Sequence, residues 1–532
     1  MPASRRTAST YLVLLLPHVF AGPVSIKVDV SSVISNFTPF NTFFGFDEPN
    51  YAYLSYGEQL LGELGALGPT QTYFRTHNLL TTGNGTPNLK WGSTNAYTED
   101  SNGSPIYNWT IIDRISETYL KNNVKPYLQV GFMPKALATS PEPYNFTFQA
   151  VSATEKKKVD SWYWEIWNEP NIPYWNGTTE QFYMLHDYAI TSIRRTIPKA
   201  RVGGPEVAGG PGNDDYLGRF INHTLYGKNA LTGEVGTPLD FLSSHAKGQP
   251  VWINATEGNP AHLRLGIYAQ LKNIDDALGV IASFPEVRDK PIVIGEMDPD
   301  GCAACVSPQY GYRNGIMFPS YTAASFARAL DLSLKHGVNL RGTLTWAFEY
   351  DGHEYFDGFR VLATNGIDKP VLNVHRILAQ MVGKRVAARS SGQVPLEDAV
   401  KKSINGTQTD VGVLSTYDEQ TKKLFIFVWH YHDDDLPKPD ADVQLDISRL
   451  TGCGERMVLK HYRIDDDHSN AYTKWLRMAS PQNLTSAEYA ELKAAGQLQM
   501  LGKEDKVDIR EGKTDVTFTL PIHGTSLLVL EG

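Results

Sequence analysis

"WEIWNEPNIPYW", residues 164–175, sets Asn168 and Glu169 side by side in an apolar, aromatic run and closes it with Pro170. Its Trp, Ile and Tyr content and its proline boundary are those of a buried strand. A carboxylate at the end of so apolar a segment needs a reason, because burying an uncompensated charge is costly. The reason emerges from where similar runs recur. Short apolar runs ending in polar or Gly-Pro signals are "NTFFGFDEPN" (41–50), "QTYFRTHN" (71–78), "VKPYLQVGFMP" (124–134), "WYWEIWNEP" (162–170), "ARVGGPEVAG" (200–209), "LDFLSSHAKG" (239–248), "KPIVIGEMDP" (290–299) and "RGTLTWAFEYDG" (341–352). Between them lie segments with apolar residues at three- and four-residue spacings, such as "YGEQLLGELGAL", "WTIIDRISETYLKNN", "EQFYMLHDYAITSIRRTI", "AQLKNIDDALGVIASF" and "TAASFARALDLSLKHG". Strand alternating with helix predicts an α/β chain with a (β/α)8 TIM barrel over residues 41–385.

Barrel strands are buried on both faces, and side chains at their carboxyl ends emerge into one shared cleft. Asn168 and Glu169 end strand four, and Glu296 ends strand seven in "IVIGEMD". A converging pair of carboxyl groups suits glycoside hydrolysis: one protonates the leaving oxygen, and the other attacks or activates water. The alternative is that each glutamate only caps its strand or pairs with Arg75, and the two positions together argue against it. The same strand ends carry Arg75 and His77 (two), Glu206 (five), His245 (six), and Trp346 with Glu349 (eight). A ring of Arg, His, Asn, Glu and Trp around two carboxylates has the chemistry of a sugar pocket, in which aromatic faces pack on sugar rings and polar groups bond hydroxyls. An acid that must keep its proton until the bond breaks calls for aromatic surroundings, with Trp164 and Trp167 as candidates.

The 532-residue chain is 41% hydrophobic, 20% charged and 11% aromatic, enough for a large barrel plus an accessory domain. Its formal charge of -9, with no basic run beyond Lys156–Lys158, gives no footprint for nucleic acid or an anionic membrane. Arg5 and Arg6, the apolar "YLVLLLPHVF", and then Ala21 and Gly22 read as a signal peptide over 1–22, too short for a membrane span. Sequons at Asn36, Asn84, Asn102, Asn108, Asn145, Asn176, Asn222, Asn254, Asn405 and Asn483 support a secreted, extracellular glycoprotein; Pro105 weakens the third of them. In such a compartment Cys302 and Cys305 of "CAAC" read as a small loop disulfide, since no second Cys or His pair has ligand spacing. Cys453 is left over.

Past residue 385 the pattern changes. "DVGVLSTYDE", "KKLFIFVWHYH", "ADVQLDIS", "RMVLKHYRID" and "KTDVTFTLPIHGTSLLVLEG" alternate in period two, with helical spacing only around "SAEYAELKAAGQL". This predicts a C-terminal β-sandwich over 386–532. The acidic runs at 433–435 and 465–467 lack the glycine and terminal glutamate of a dedicated calcium loop and read as solvated loops. No metal or organic cofactor is implied.

Taken together, "FRTHNLL", "WEIWNEPN", "ARVGGP", "SSHAKG", "IVIGEMD" and "TWAFEYDGHEYFDGFRVLATNGIDKPVLNVHRILAQM" resemble, in order and spacing, glycoside hydrolase family 39, which contains β-xylosidases and α-L-iduronidases. The resemblance implies a retaining enzyme with Glu169 as acid/base, Glu296 as nucleophile and Asn168 as partner of the sugar 2-hydroxyl. Arg75, His77, His245, Trp346 and Glu349 are then expected in the substrate pocket. It also implies that an N-terminal strand within 23–40, such as "VSIKVDV", joins the β-sandwich. The "DPDGCAAC" insert after Met297 departs from the family pattern and is expected to stiffen or narrow that side of the cleft. The expected activity is exo-β-xylosidase action on xylo-oligosaccharides. The alternatives are an endo-glycanase, an α-L-iduronidase-like enzyme, or an inactive carbohydrate-binding homologue. A uronate substrate would call for a basic residue aimed at its carboxylate, and apart from Arg75 none is found at a strand end.

Overall fold

The computed structural model describes residues 22–89, 91–138, 159–257 and 260–532. Residues 1–21 of the expected signal peptide, the sequon at Asn145 and the basic run Lys156–Lys158 lie outside them.

Eight parallel strands close into a barrel: Phe43–Phe46, Thr72–Thr76, Val124–Val130, Tyr163–Ile166, Arg201–Val207, Phe241–His245, Pro291–Glu296 and Asn339–Trp346. Closure is made where Leu344, Thr345 and Trp346 pair with Phe43, Phe44 and Gly45. All eight runs contribute a strand, but the strands are shorter than the runs. The fourth ends at Ile166, and the chain then turns through Trp167 (φ +69°) and Glu169 (φ +46°), so Asn168 and Glu169 stand in a turn above the strand. A left-handed backbone at two non-glycine residues is strained, and such strain gathers at functional sites.

Alternation along the strands fills the barrel. Phe43, Tyr73, Tyr127, Tyr163, Phe241, Val293 and Leu344 form the buried interior floor. Phe43 stacks on Tyr73 with ring centroids 5.0 Å apart, and Tyr163 meets Phe241 edge-on at 4.9 Å. The floor is therefore mostly aromatic. The opposite strand faces carry Phe44, Phe74, Leu128, Ile166, Val202, Leu242, Ile292 and Ile294 into the layer of surrounding helices.

The five helical segments read from the sequence form Ser55–Gly65, Thr110–Lys121, Thr179–Thr196, Ile267–Ala282 and Met317–His336. Two further helices, Tyr216–Tyr226 and Pro370–Gln380, escaped that reading. Pro370–Gln380 buries most of its residues and keeps its partly exposed Arg376 and Gln380 on the same face as Asn373. Tyr216–Tyr226 starts beside a glycine-rich loop, where Asp215 caps it by accepting from the Gly218 N–H at 3.1 Å.

A second, mixed sheet of ten strands lies beside the barrel. The strand Val24–Asn36 lies inside it, third from one edge, antiparallel to Lys384–Ser390 and parallel to Ala441–Ser448. Its apolar core is built from one parity of each strand, including Ile26, Val28, Leu424, Ile426, Val428, Leu445, Leu528 and Leu530. The other parity of Lys423–Tyr431, namely Phe425, Phe427, Trp429 and Tyr431, packs into the core shared with the barrel helices. That is why "KLFIFVWHY" is apolar throughout: both faces are covered. Arg328, on the helix Met317–His336, ties the two bodies by donating to Asp410 Oδ1 at 2.7 Å, with both side chains buried. Among the described residues no helix is long and apolar enough to cross a membrane.

Candidate active site

One level above the aromatic floor, the inward positions become ionisable: Tyr73 is followed by Arg75, and Tyr163 by Glu165. Arg75 is wholly buried and uses its fork in three directions. Nε donates to Glu165 Oε1 at 2.6 Å, Nη1 to Glu296 Oε1 at 3.1 Å, and Nη2 to Asn168 Oδ1 at 3.0 Å. Its guanidinium carbon lies 5.3 Å from the centroid of Trp346. A planar, permanently charged group with diverging N–H bonds suits this hub in a way lysine would not.

Around the hub the carboxylates divide into two pairs. Below, Glu165 and Glu206 are both fully buried. Burial pushes Glu165 well above the usual carboxylate range. Burial works on Glu206 in the same direction, but Arg75, Glu165 and His245 outweigh it and hold Glu206 well below that range. The two thus share about one negative charge, as close carboxyls do. Tyr127 donates to Glu206 Oε1 at 2.5 Å. Glycine at 295 is compulsory: a Cβ there would stand 1.8 Å from Glu206 Oε2. Gly45 is similar, since a Cβ would meet the Arg75 carbonyl oxygen at 2.7 Å and the Trp346 ring at 2.5 Å.

Above lie Glu296 and Glu169. Each oxygen of Glu296 faces a cation, Oε1 meeting Arg75 and Oε2 lying 3.0 Å from Lys247 Nζ. Burial alone would raise Glu296, but Lys247, His245 and Arg75 prevail and lower it to about 2, so it is a carboxylate at any physiological pH. Glu169 is hydrogen-bonded to His245 Nδ1 at 2.8 Å, and the same nitrogen lies 3.8 Å from Glu296 Oε1. Even end to end, those two distances barely reach the roughly 6.5 Å at which inverting carboxyl pairs begin, and they accommodate the ~5–5.5 Å of retaining pairs. Burial tends to lower His245, but the carboxylates of Glu296, Glu169 and Glu206 together raise it to about 9, which favours the charged ring.

The structure gathers Asn168, Glu169, Glu296, Arg75, His77, His245 and Trp346 at this one mouth. His77 packs 4.3 Å from the Trp346 ring, is 3.1 Å from Asp47 Oδ1 through Nδ1, and has Nε2 4.0 Å from Glu296 Oε1. Four residues are placed otherwise than expected. Arg75 and His245 expose no side-chain surface, so they touch carboxylates rather than a sugar. Glu349 turns away from the cluster: it is buried, accepts from the Gly366 N–H at 2.6 Å, and is raised by burial and by Asp368 and Asp351 to about 8. Trp164 sits on the helix-facing side of its strand, stacked 6.1 Å from Trp162, because its parity is opposite to Glu165. Trp167 packs edge-on against Phe132 at 5.1 Å and Trp175 at 5.4 Å.

Other functional groups escaped the sequence reading. Lys247 stands two residues beyond His245 and bonds Asp298 Oδ2 at 2.7 Å as well as approaching Glu296, so a basic residue does follow strand six. Burial raises Asp298 to about 7, with Lys247 opposing. Tyr174, in the turn after strand four, has its hydroxyl pushed up to about 12 by burial and by the charges of Glu169, Asp47 and Glu296. The parity of "SSHAKG" and the isolated charge in "WEIW" were the available signals.

Cys302 and Cys305 are bonded, with Cα atoms 5.6 Å apart. Their loop is pinned by Arg313, which donates to Asp300 Oδ1 at 2.7 Å, and by Arg360, which donates to the Ala303 carbonyl at 2.9 Å. Ala303 is thereby buried in the cluster that contains Trp346. Among the described residues no group of three or more His, Cys, Asp or Glu side chains is arranged to hold a metal ion.

The sequence model described as "Glycosyl hydrolases family 39" matches residues 73–500. A β-xylosidase of Caldicellulosiruptor saccharolyticus is 25% identical over 447 residues, covering 79% of this chain and 82% of that one. An α-L-iduronidase of Mus musculus is 26% identical over 209 residues, 36% of this chain and 31% of that one. Among solved structures, a monomeric β-xylosidase from Caulobacter crescentus CB15 superposes with a TM-score of 0.72 at 18% identity, over 95% of this chain and 99% of that one. At that identity the likeness is one of fold.

Proposed function

This chain belongs to glycosyl hydrolases family 39, and we propose that it is a secreted, retaining exo-β-xylosidase acting on xylo-oligosaccharides. The observation that carries the chemistry is the convergence of Glu169 and Glu296 on one imidazole nitrogen. Glu296, with a cation on each oxygen, is the nucleophile. Its Oε attacks the anomeric carbon while the glycosidic C–O bond breaks, and the leaving oxygen takes the Glu169 proton. Water then attacks the same carbon and gives its proton to Glu169, and the bond to Glu296 breaks. Asn168, oriented by Arg75 Nη2, offers its amide to the sugar 2-hydroxyl.

The xylose reading is supported by the β-xylosidase relative, which matches across most of both chains. Secretion is supported by the leader, by the bonded Cys302–Cys305 pair, and by the exposure of Asn36, Asn84, Asn108, Asn176, Asn222, Asn254, Asn405 and Asn483. A second reading, a uronidase, is favoured by Lys247, the cation after strand six. It ranks lower because Lys247 already serves Glu296 and Asp298. A panel of aryl glycosides differing only in the sugar decides between them. We expect the β-xyloside to give the highest kcat/KM, and preference for an α-L-iduronide would overturn the xylose reading.

A further inference from the structure

We propose that His245 is the counter-ion shared by both catalytic carboxylates, and that Glu206, buried behind it on strand five, is the positioning residue that keeps the ring oriented and charged through both halves of the reaction. This rests on the roles given above to Glu169 and Glu296.

A double displacement moves one negative charge from one side of the site to the other. In the proposed reaction Glu296 begins as the carboxylate nucleophile and Glu169 serves as the acid. In the glycosyl-enzyme Glu296 is a neutral ester, and Glu169, having given its proton to the leaving group, is the carboxylate. Arg75 and Lys247 are placed to pair with Glu296. The cation placed for both states is His245, whose Nδ1 lies 2.8 Å from Glu169 Oε1 and 3.8 Å from Glu296 Oε1. A neutral ring would leave the newly formed Glu169 carboxylate without it.

Glu206 is built to prevent that. Its Oε2 lies 3.0 Å from His245 Nε2, an ion-pair contact without hydrogen-bond alignment, at the ring nitrogen opposite the one that faces Glu169 and Glu296. It is fixed there by Tyr127, by Arg75 Nε at 3.5 Å, and by the absence of a side chain at Gly295. Glu206 also reaches the acid through the backbone, since its carbonyl accepts from the Glu169 N–H at 3.1 Å. Its own φ of +55° shows that the strand departs from regular geometry at this residue. The groups facing the ring are therefore Glu169 on the turn after strand four, Glu206 on strand five and Glu296 on strand seven. Arg75, Glu165, Tyr127 and Lys247 form the next circle. Because His245 exposes no surface, its effect passes through the carboxylates rather than through substrate contact.

The test uses the full-length protein. Nitrogen-15 NMR of His245 should show both ring nitrogens protonated at pH 7.5, in the free enzyme and in the glycosyl-enzyme trapped with a 2-deoxy-2-fluoro xyloside. A neutral ring in either state overturns the proposal, and this measurement needs no variant. In Glu206→Gln, one of the carboxylates that hold the ring charged is gone. The alkaline limb of kcat/KM should then move to lower pH by about one unit or more, deglycosylation should slow about tenfold, and Glu206→Asp should restore the limb. An unmoved limb in folded Glu206→Gln overturns the proposal. If Glu296→Gln is inactive while that limb is unmoved, only the relay has failed. If Glu296→Gln keeps near-normal rates, the assignment beneath it has failed as well.

Discussion

Glu169 and Glu296 carry the same functional group and differ in what surrounds it. Glu296 has a cation at each oxygen and a 9% exposed side chain, which suits a group that must stay ionised until it bonds carbon. Glu169 has His245 and a 15% exposed side chain, which leaves it open to the leaving group and to water. Losing Glu169 should therefore hurt selectively. In Glu169→Ala, turnover of substrates with poor leaving groups should fall by about 10²–10⁴. Glycosylation by a dinitrophenyl glycoside should survive, and added azide should restore turnover and yield the glycosyl azide. Steady-state rates across a leaving-group series check this, and a uniform loss without azide rescue would contradict it. The two glutamates were legible from the sequence because each follows an apolar run at the carboxyl end of a barrel strand; alternation did not mark them, since Glu169 stands in a turn beyond Ile166 and a register shift between Ile294 and Glu296 breaks the parity of strand seven. Glu165, Lys247 and Asp298 were not, because a charge that works by neutralising another charge carries no motif of its own.

At the scale of elements, strands were easier to read than helices. Each barrel strand is a short apolar run with a sharp end, whereas the helix Pro370–Gln380 spans only 11 residues and marks its period with just Asn373, Arg376 and Gln380. The strand Val24–Asn36 illustrates how parity decides energetics. Ile26 is wholly buried between Ser390 and Leu445, while its neighbour Lys27 points to solvent. Ile26→Ala should cost about 2–5 kcal/mol, from lost transfer energy plus the cavity left behind. Lys27→Ala should stay within about 0.5 kcal/mol. Urea unfolding midpoints of the two variants provide the comparison, and equal shifts would mean that the strand is not held in this register.

At the scale of the whole molecule, the ten-stranded sheet braces the catalytic mouth as well as covering a helix. The hairpin that follows strand six, Val251–Ile253 with His262–Arg264, is tied to the sheet by Arg264, whose Nη2 donates to Asp434 Oδ2 at 2.9 Å. The Leu265 N–H donates to the Asp433 carbonyl at 2.9 Å. The loop leaving His245 and Lys247 is thus anchored on a different body from the strand that presents them. Of the acidic run at 433–435, read from the sequence as a solvated loop, Asp433 and Asp434 prove to be buried in this seam, and Asp435 is exposed. Such long-range partnership is invisible to local pattern, which is why the runs along the chain were readable and the contacts between the two bodies were not. The central claim is that Glu296 forms a covalent glycosyl-enzyme that Glu169 helps to open, a double inversion at one carbon. Proton NMR of the sugar first released from an aryl β-xyloside, recorded before mutarotation, tests it most directly. The account predicts the β-anomer as the initial product, and initial release of the α-anomer would contradict it.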